Sequence, residues 1–86
     1  MSQVATSEVF EKIKTMCIEQ VGCSPQQVVP EASFMGDLNF DSLDQVEMIM
    51  KVEEEYGFDV PEAEGEQLRT VGDAVAYIER RLAEPG

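Results

Sequence analysis

Residues 41–57 read DSLDQVEMIMKVEEEYG, and their periodicity decides the fold. Asp41 is a favoured helix N-cap, Asp44 puts a carboxylate in the first turn, and Gly57 supplies a left-handed stop after Tyr56. On a helical wheel of about 100° per residue with Leu43 at the origin, Met48, Val52, Tyr56 and Ile49 fall between about 140° and 240°. That arc is an ordinary core-facing stripe. Val46, Met50 and Leu43 carry the apolar surface on to about 360°, so that it spans about 220° in all. Asp44, Glu47, Glu54 and Glu55 fill the remaining arc, and Glu53 interrupts the second patch. Two readings stand. A small bundle buries this helix on two sides, or Leu43, Val46 and Met50 enter a partner's groove while Asp44, Glu47 and Glu53 steer toward lysines and arginines. Methionine suits a surface that fits several partners.

Charge placement favours the second reading. From Asp37 to Glu66 eleven acids stand against Lys51 alone, so these thirty residues carry a net −10 of the chain's −12. Self-repulsion on that scale costs stability, so use explains it better than folding does, although a solvated acidic face is the plain alternative.

Working outward, Val9, Phe10, Ile13, Met16, Cys17 and Val21 recur at three- and four-residue steps, which predicts a first amphipathic helix capped by Thr6 or Ser7 and ended by Gly22. Ser24-Pro25-Gln26-Gln27 is a compact helix start with capping-box spacing, read as one short turn with Val28 and Val29 pointing inward. Residues 30–41 form a long connection broken by Pro30, Gly36 and Asn39, with Phe34, Leu38 and Phe40 as anchors onto the core. Beyond Pro61 a weak helical segment runs from about Glu62 to Leu68, interrupted by Gly65. Thr70 and Asp73 form a second capping box, and Val71, Ala74, Val75, Ile78 and Leu82 mark a last helix with Arg80 and Arg81 near its C-terminus. No strand pattern competes. The expected fold class is all-α, a small bundle with a long first connection.

The 86 residues, 43% of them hydrophobic, are expected to form a single domain over 1–86 with a modest core. A charge of −12 argues against nucleic acid and anionic lipid, whose phosphates need a positive surface, and favours basic protein partners. The chain has no histidine, which removes Ser/His and Cys/His nucleophile systems and imidazole metal ligands. Cys17 and Cys23 cannot build a zinc site alone; Cys17 reads as a small core residue and Cys23 as a loop thiol. No apolar run approaches the ~20 residues of a membrane span, and residues 1–8 lack the charged head and apolar stretch of a signal peptide. The expectation is a soluble intracellular monomer.

Asp37, Asn39 and Asp41 alternate like the opening ligands of an EF-hand loop. The pattern fails where Ser42 replaces the required glycine and Met48 the required glutamate. No metal site is expected beyond weak divalent-ion binding by clustered carboxylates. Ser42 itself opens a helix directly after a capping aspartate. A serine there is ordinarily a helix-start residue without chemistry. Its hydroxyl, however, would sit beside free backbone N–H groups at the positive end of the dipole, where an attached phosphate ester is stabilised. With no base nearby, another enzyme would have to modify it.

Asp37-Leu38-Asn39-Phe40-Asp41-Ser42-Leu43-Asp44, continued by Val46-Glu47 and Glu53-Glu54-Glu55-Tyr56-Gly57, closely resembles the acyl carrier proteins. The similarity extends to the Ser24-Pro25 turn, Phe34, the Val60-Pro61 step and Thr70-Val71-Gly72-Asp73-Ala74. The resemblance implies a four-helix bundle of three main helices and one short one, a carrier rather than an enzyme. Ser42 would carry 4′-phosphopantetheine, attached from coenzyme A by a magnesium-dependent phosphopantetheinyl transferase, and growing acyl chains would ride on its thiol. It implies a recognition set of Asp41, Leu43, Asp44, Val46, Glu47, Met50 and Glu53, read by fatty acid synthesis enzymes with basic docking patches. Phe34, Met48, Ile49, Val52 and the inner faces of the first and last helices would line an acyl cleft. Location would be cytoplasmic in a bacterium, or an organelle matrix after removal of a targeting segment. Asn39 stands where that family usually has glycine, which implies a positive φ at a residue that tolerates one. The alternatives are a carrier for a polyketide, peptidyl or other specialised pathway, or an acidic adaptor that occupies a basic protein surface and has no use for Ser42.

Overall fold

The computed structural model describes residues 2–84, with side chains from residue 8 onward. Four helices follow one another: α1 (Ser2–Val21), α2 (Ser42–Tyr56), the single-turn α3 (Glu62–Gly65) and α4 (Val71–Ala83), with a 3₁₀ turn (Pro25–Gln27) in the first connection. The all-α expectation holds: among the described residues the only extended pairing is an isolated bridge between Ser33 and Thr70.

Local chemistry fixes the ends of the elements. The Asp41 carboxylate accepts from the Asp44 N–H at 2.9 Å while the Asp44 carboxylate accepts from the Asp41 N–H at 3.1 Å. Thr70 and Asp73 repeat this reciprocal arrangement at α4, at 3.1 and 3.2 Å. Gly57 ends α2 at φ 76°, a conformation that only glycine adopts without a Cβ penalty. Arg80 and Arg81 lie in the last turn of α4, as expected.

α1 packs mainly on α4 and next on α2. The core joins Ile13 and Cys17 of α1, Met48 and Val52 of α2, and Val71 and Ile78 of α4. Phe34, Leu38 and Phe40 are buried as anchors of the long connection, with the Phe34 and Phe40 rings 5.2 Å apart. Three backbone hydrogen bonds stitch that connection to the start of α4: Phe34 N–H to the Arg69 carbonyl, Val71 N–H to that of Ala32, and Gly72 N–H to that of Pro30, at 2.8–3.0 Å. Cys17 is buried and Cys23 half-buried, both as free thiols. Burial, reinforced by the neighbouring Cys23, pushes the Cys17 thiol up to about 12, so it is chemically inert at neutral pH.

Four sequence expectations are corrected. α1 begins at Ser2, so Thr6 and Ser7 lie within the helix rather than at its cap; nothing between them and Ser2 breaks a helix. Val28 is buried but Val29 faces solvent, because the chain turns at Pro30 and only one of two adjacent residues can point inward. Leu82 is exposed in the last turn of α4, where Arg80, Ala83 and Glu84 are exposed too, while Arg81 turns to Asp59 and Tyr77. α3 stops at Gly65, and Leu68 packs from the turn that follows.

Candidate functional site

Ser42 is the first residue of α2 and is exposed. The capping box gives the Asp41 and Asp44 carboxylates to backbone N–H groups on either side of Ser42. Hydrogen bonds from the Asp41 N–H and then from Gln20 hold the Asp44 carboxyl below its ordinary range, so it is ionised throughout the neutral region. Gln20, on α1, donates to Asp44 Oδ1 at 3.1 Å and to Glu47 Oε1 at 2.7 Å, a clasp between α1 and α2. Asn39 adopts φ 62°, the left-handed conformation expected of it, three residues before Ser42. Among the described residues no cluster of histidine, cysteine and carboxylate groups could hold a metal ion. No helix there is long and apolar enough to cross a membrane.

The two apolar arcs of α2 meet different fates. Met48 and Val52 are 4% and 6% exposed, and Ile49 and Tyr56 are half-buried. Leu43, Val46 and Met50 are 65%, 53% and 52% exposed, so the bundle does not bury α2 on both sides. Asp41 and Glu47 stand exposed beside them. Glu53 is partly diverted: its carboxylate accepts from the Val60 N–H at 2.8 Å and fastens the α2–α3 connection.

A groove of about 890 Å³ lies between α2, α3 and residues 33–35, and Ser42 is one of its lining residues. Phe34, Val46, Ile49, Met50, Val60 and Leu68 supply most of its apolar wall. A second void of about 20 Å³ lies deeper, between Met48 and Val52 of α2, Ile13 of α1, and Ala74 and Ile78 of α4. Of the four cleft residues expected from sequence, Phe34 and Ile49 line both spaces, whereas Met48 and Val52 line only the inner one. Val46 and Met50, expected on the recognition face, also line the groove. Gly65 brings α3 close to α2, since a Cβ there would lie 2.9 Å from Ile49 Cδ1.

Two residues escaped the sequence reading. Gln20 gives no periodicity signal, because its role depends on which helices meet. Gln45 did leave one: it falls at about 200° on the wheel, in the middle of the core-facing arc, where a polar residue calls for a buried partner. Its Nε2 donates to the Leu68 carbonyl at 3.0 Å.

An exposed hydroxyl at a helix start, opening on an apolar groove, suits a covalently attached group that carries apolar cargo. Residues 11–78 match the family model described as "Phosphopantetheine attachment site". The chain is also 49% identical over 77 residues to the acyl carrier protein of Thermosynechococcus vestitus, covering 90% of this chain and 95% of that protein. The helical bundle, the groove at Ser42 and these two matches place the chain in the acyl carrier protein family, whose members are phosphopantetheine-bearing carriers and not enzymes.

Proposed function

We propose that Ser42 is the attachment point of 4′-phosphopantetheine and that the chain presents acyl groups to enzymes of fatty acid synthesis. The carrying observation is the exposed Ser42 hydroxyl at the start of α2, on the wall of a groove lined largely by hydrocarbon. The residues present fit the group. The first N–H groups of α2 favour a phosphate ester at this position, and Asp41 and Asp44 are held back from it by their capping bonds. The bound group supplies a thiol that holds the acyl chain as a thioester. Phe34, Ile49, Val60 and Leu68 would shelter the chain from water, with Met48 and Val52 lining the deeper space into which it could extend. A partner with a basic patch would meet Asp41, Asp44 and Glu47, while Leu43, Val46 and Met50 offer the apolar contact. Gln45 apart, the side chains around the inner void are hydrocarbon or thioether, which supports a fatty acyl cargo rather than a heavily oxygenated one.

The test is intact-protein mass after incubation with coenzyme A, magnesium and a broad-specificity phosphopantetheinyl transferase. Wild type is expected to gain one phosphopantetheine, and Ser42→Ala to gain none while keeping its helical circular dichroism and thermal midpoint. An unfolded Ser42→Ala protein, or loading that survives the substitution, overturns the assignment. Elongation of the loaded chain by fatty acid synthesis enzymes but not by polyketide enzymes checks the pathway.

A further inference from the structure

Gln45 holds the one polar side chain lining the inner void, and half of its carboxamide is unsatisfied. Nε2 is committed to the Leu68 carbonyl at 3.0 Å. A carbonyl only accepts, so the atom facing it is the amide nitrogen and the other is the acceptor Oε1. Oε1 is buried and has no partner among the described residues. Buried polar atoms are nearly always paired, so an orphan of this kind calls for an explanation. Water is a poor one. The inner void, at about 20 Å³, has room for a single molecule, but a water needs two to four polar partners and every other side chain around that void is hydrocarbon or thioether.

Position supplies the explanation. Gln45 lies one helical turn beyond Ser42, on the same side of α2, and lines both the outer groove and the inner void. An acyl chain passing from one space to the other would run past it. We propose that Gln45 is a specificity-determining residue for the carried chain, whose Oε1 accepts a hydrogen bond from a hydroxyl on an acyl group lodged in the groove. The proposal rests on the carrier reading above and adds the class of cargo that this chain distinguishes. A keto group has no proton to donate and would set one acceptor against another; a saturated chain leaves Oε1 as it is. The wall therefore ranks hydroxyacyl chains above keto and saturated chains of equal length. The arm's own amide N–H groups are the other possible donors, and they would serve all three chains alike.

The experiment loads wild type and Gln45→Met, a change that keeps length and removes the acceptor, with decanoyl or 3-hydroxydecanoyl groups from the corresponding coenzyme A thioesters. Cleavage of each thioester by hydroxylamine reports shelter. The substitution is expected to speed cleavage of the hydroxyacyl thioester by about 2- to 10-fold, the worth of one hydrogen bond, and to leave the decanoyl thioester within about twofold. Equal changes for both chains would assign the donor to the arm and overturn the proposal. On unsubstituted protein, the Gln45 side-chain amide resonances should move with the hydroxyacyl chain and not with the decanoyl chain; identical spectra overturn it without any variant. If both thioesters on wild type are cleaved as fast as a free pantetheine thioester, the sheltering role itself fails and takes this inference with it. Shelter without hydroxyl preference sinks this inference alone.

Discussion

The two apolar faces of α2 use the same kinds of residue for opposite ends. Met48 and Met50 are two positions apart on one helix, yet the first is 4% exposed and the second 52%. Hydrophobicity makes burial favourable but does not supply a partner; α1 and α4 supply one for Met48, whereas Leu43 and Val46 stay largely exposed among the described residues. The acids are divided in the same way. Asp44 and Glu53 serve the fold through bonds to backbone N–H groups, whereas Glu47 accepts from the Gln20 side chain. The proposed docking role draws on the residues that the fold leaves unused.

Substitution on the inner face should produce the largest effect. Met48→Ala is expected to cost about 2–5 kcal/mol, read by chemical denaturation, because it leaves a cavity among Ile13, Val52 and Ile78. A loss below about 1 kcal/mol would erase the distinction between the faces. Met50→Ala should change stability by less than about 0.5 kcal/mol. It should nevertheless weaken binding to a basic partner by about 5-fold or more, measured by titration calorimetry; an unchanged affinity removes the docking role of the outer face.

Acid titration of Asp44→Asn sharpens the division among the carboxylates. The Asp44 pKa is lowered in the folded state, so its stabilisation is present above the unfolded value near 3.8 and disappears as pH falls through the folded one. The variant should therefore be less stable than wild type at pH 7, and the gap should close below about pH 3.8. A gap that persists at pH 2 would mean that the carboxylate charge is not what stabilises the turn. The smallest effect is expected at Asn39, where φ is 62°. Asn39→Gly should raise stability by less than about 1 kcal/mol, the relief of left-handed strain being partly offset by the freer unfolded chain; any loss would show that the asparagine side chain is used.

Features written within one turn of chain were legible in the sequence. The boxes at Asp41–Asp44 and Thr70–Asp73 depend on residues three apart, where side-chain chemistry acts directly on the backbone, and the stop at Gly57 on the freedom of one residue, whereas the positive φ of Asn39 was expected only from the family resemblance. The split of α2 into two arcs was legible too, since periodicity records geometry. What covers an arc is not recorded there, and the wheel alone left burial on both sides open. Periodicity could not show the groove for the same reason, and the cleft was expected only through the family resemblance. Its width depends on Gly65 letting α3 approach Ile49, and its wall on Phe34 meeting elements distant in the chain. Gln45 lies between these cases: its place on the wheel was visible, but its bond to Leu68 spans 23 positions.

The stitch between the long connection and the start of α4 has a kinetic consequence. Its three hydrogen bonds join positions 35 to 42 residues apart, with all of α2 and α3 looped between them. Closing so long a loop costs entropy that is recovered only when the contacts at its neck form together. The strip bearing Phe34 is therefore secured only when residues 30–34 meet residues 69–72. By the same coupling, the Phe34 wall of the groove depends on the start of α4 as well as on its own connection. One wall of the groove is thus held from two parts of the chain that α2 and α3 separate.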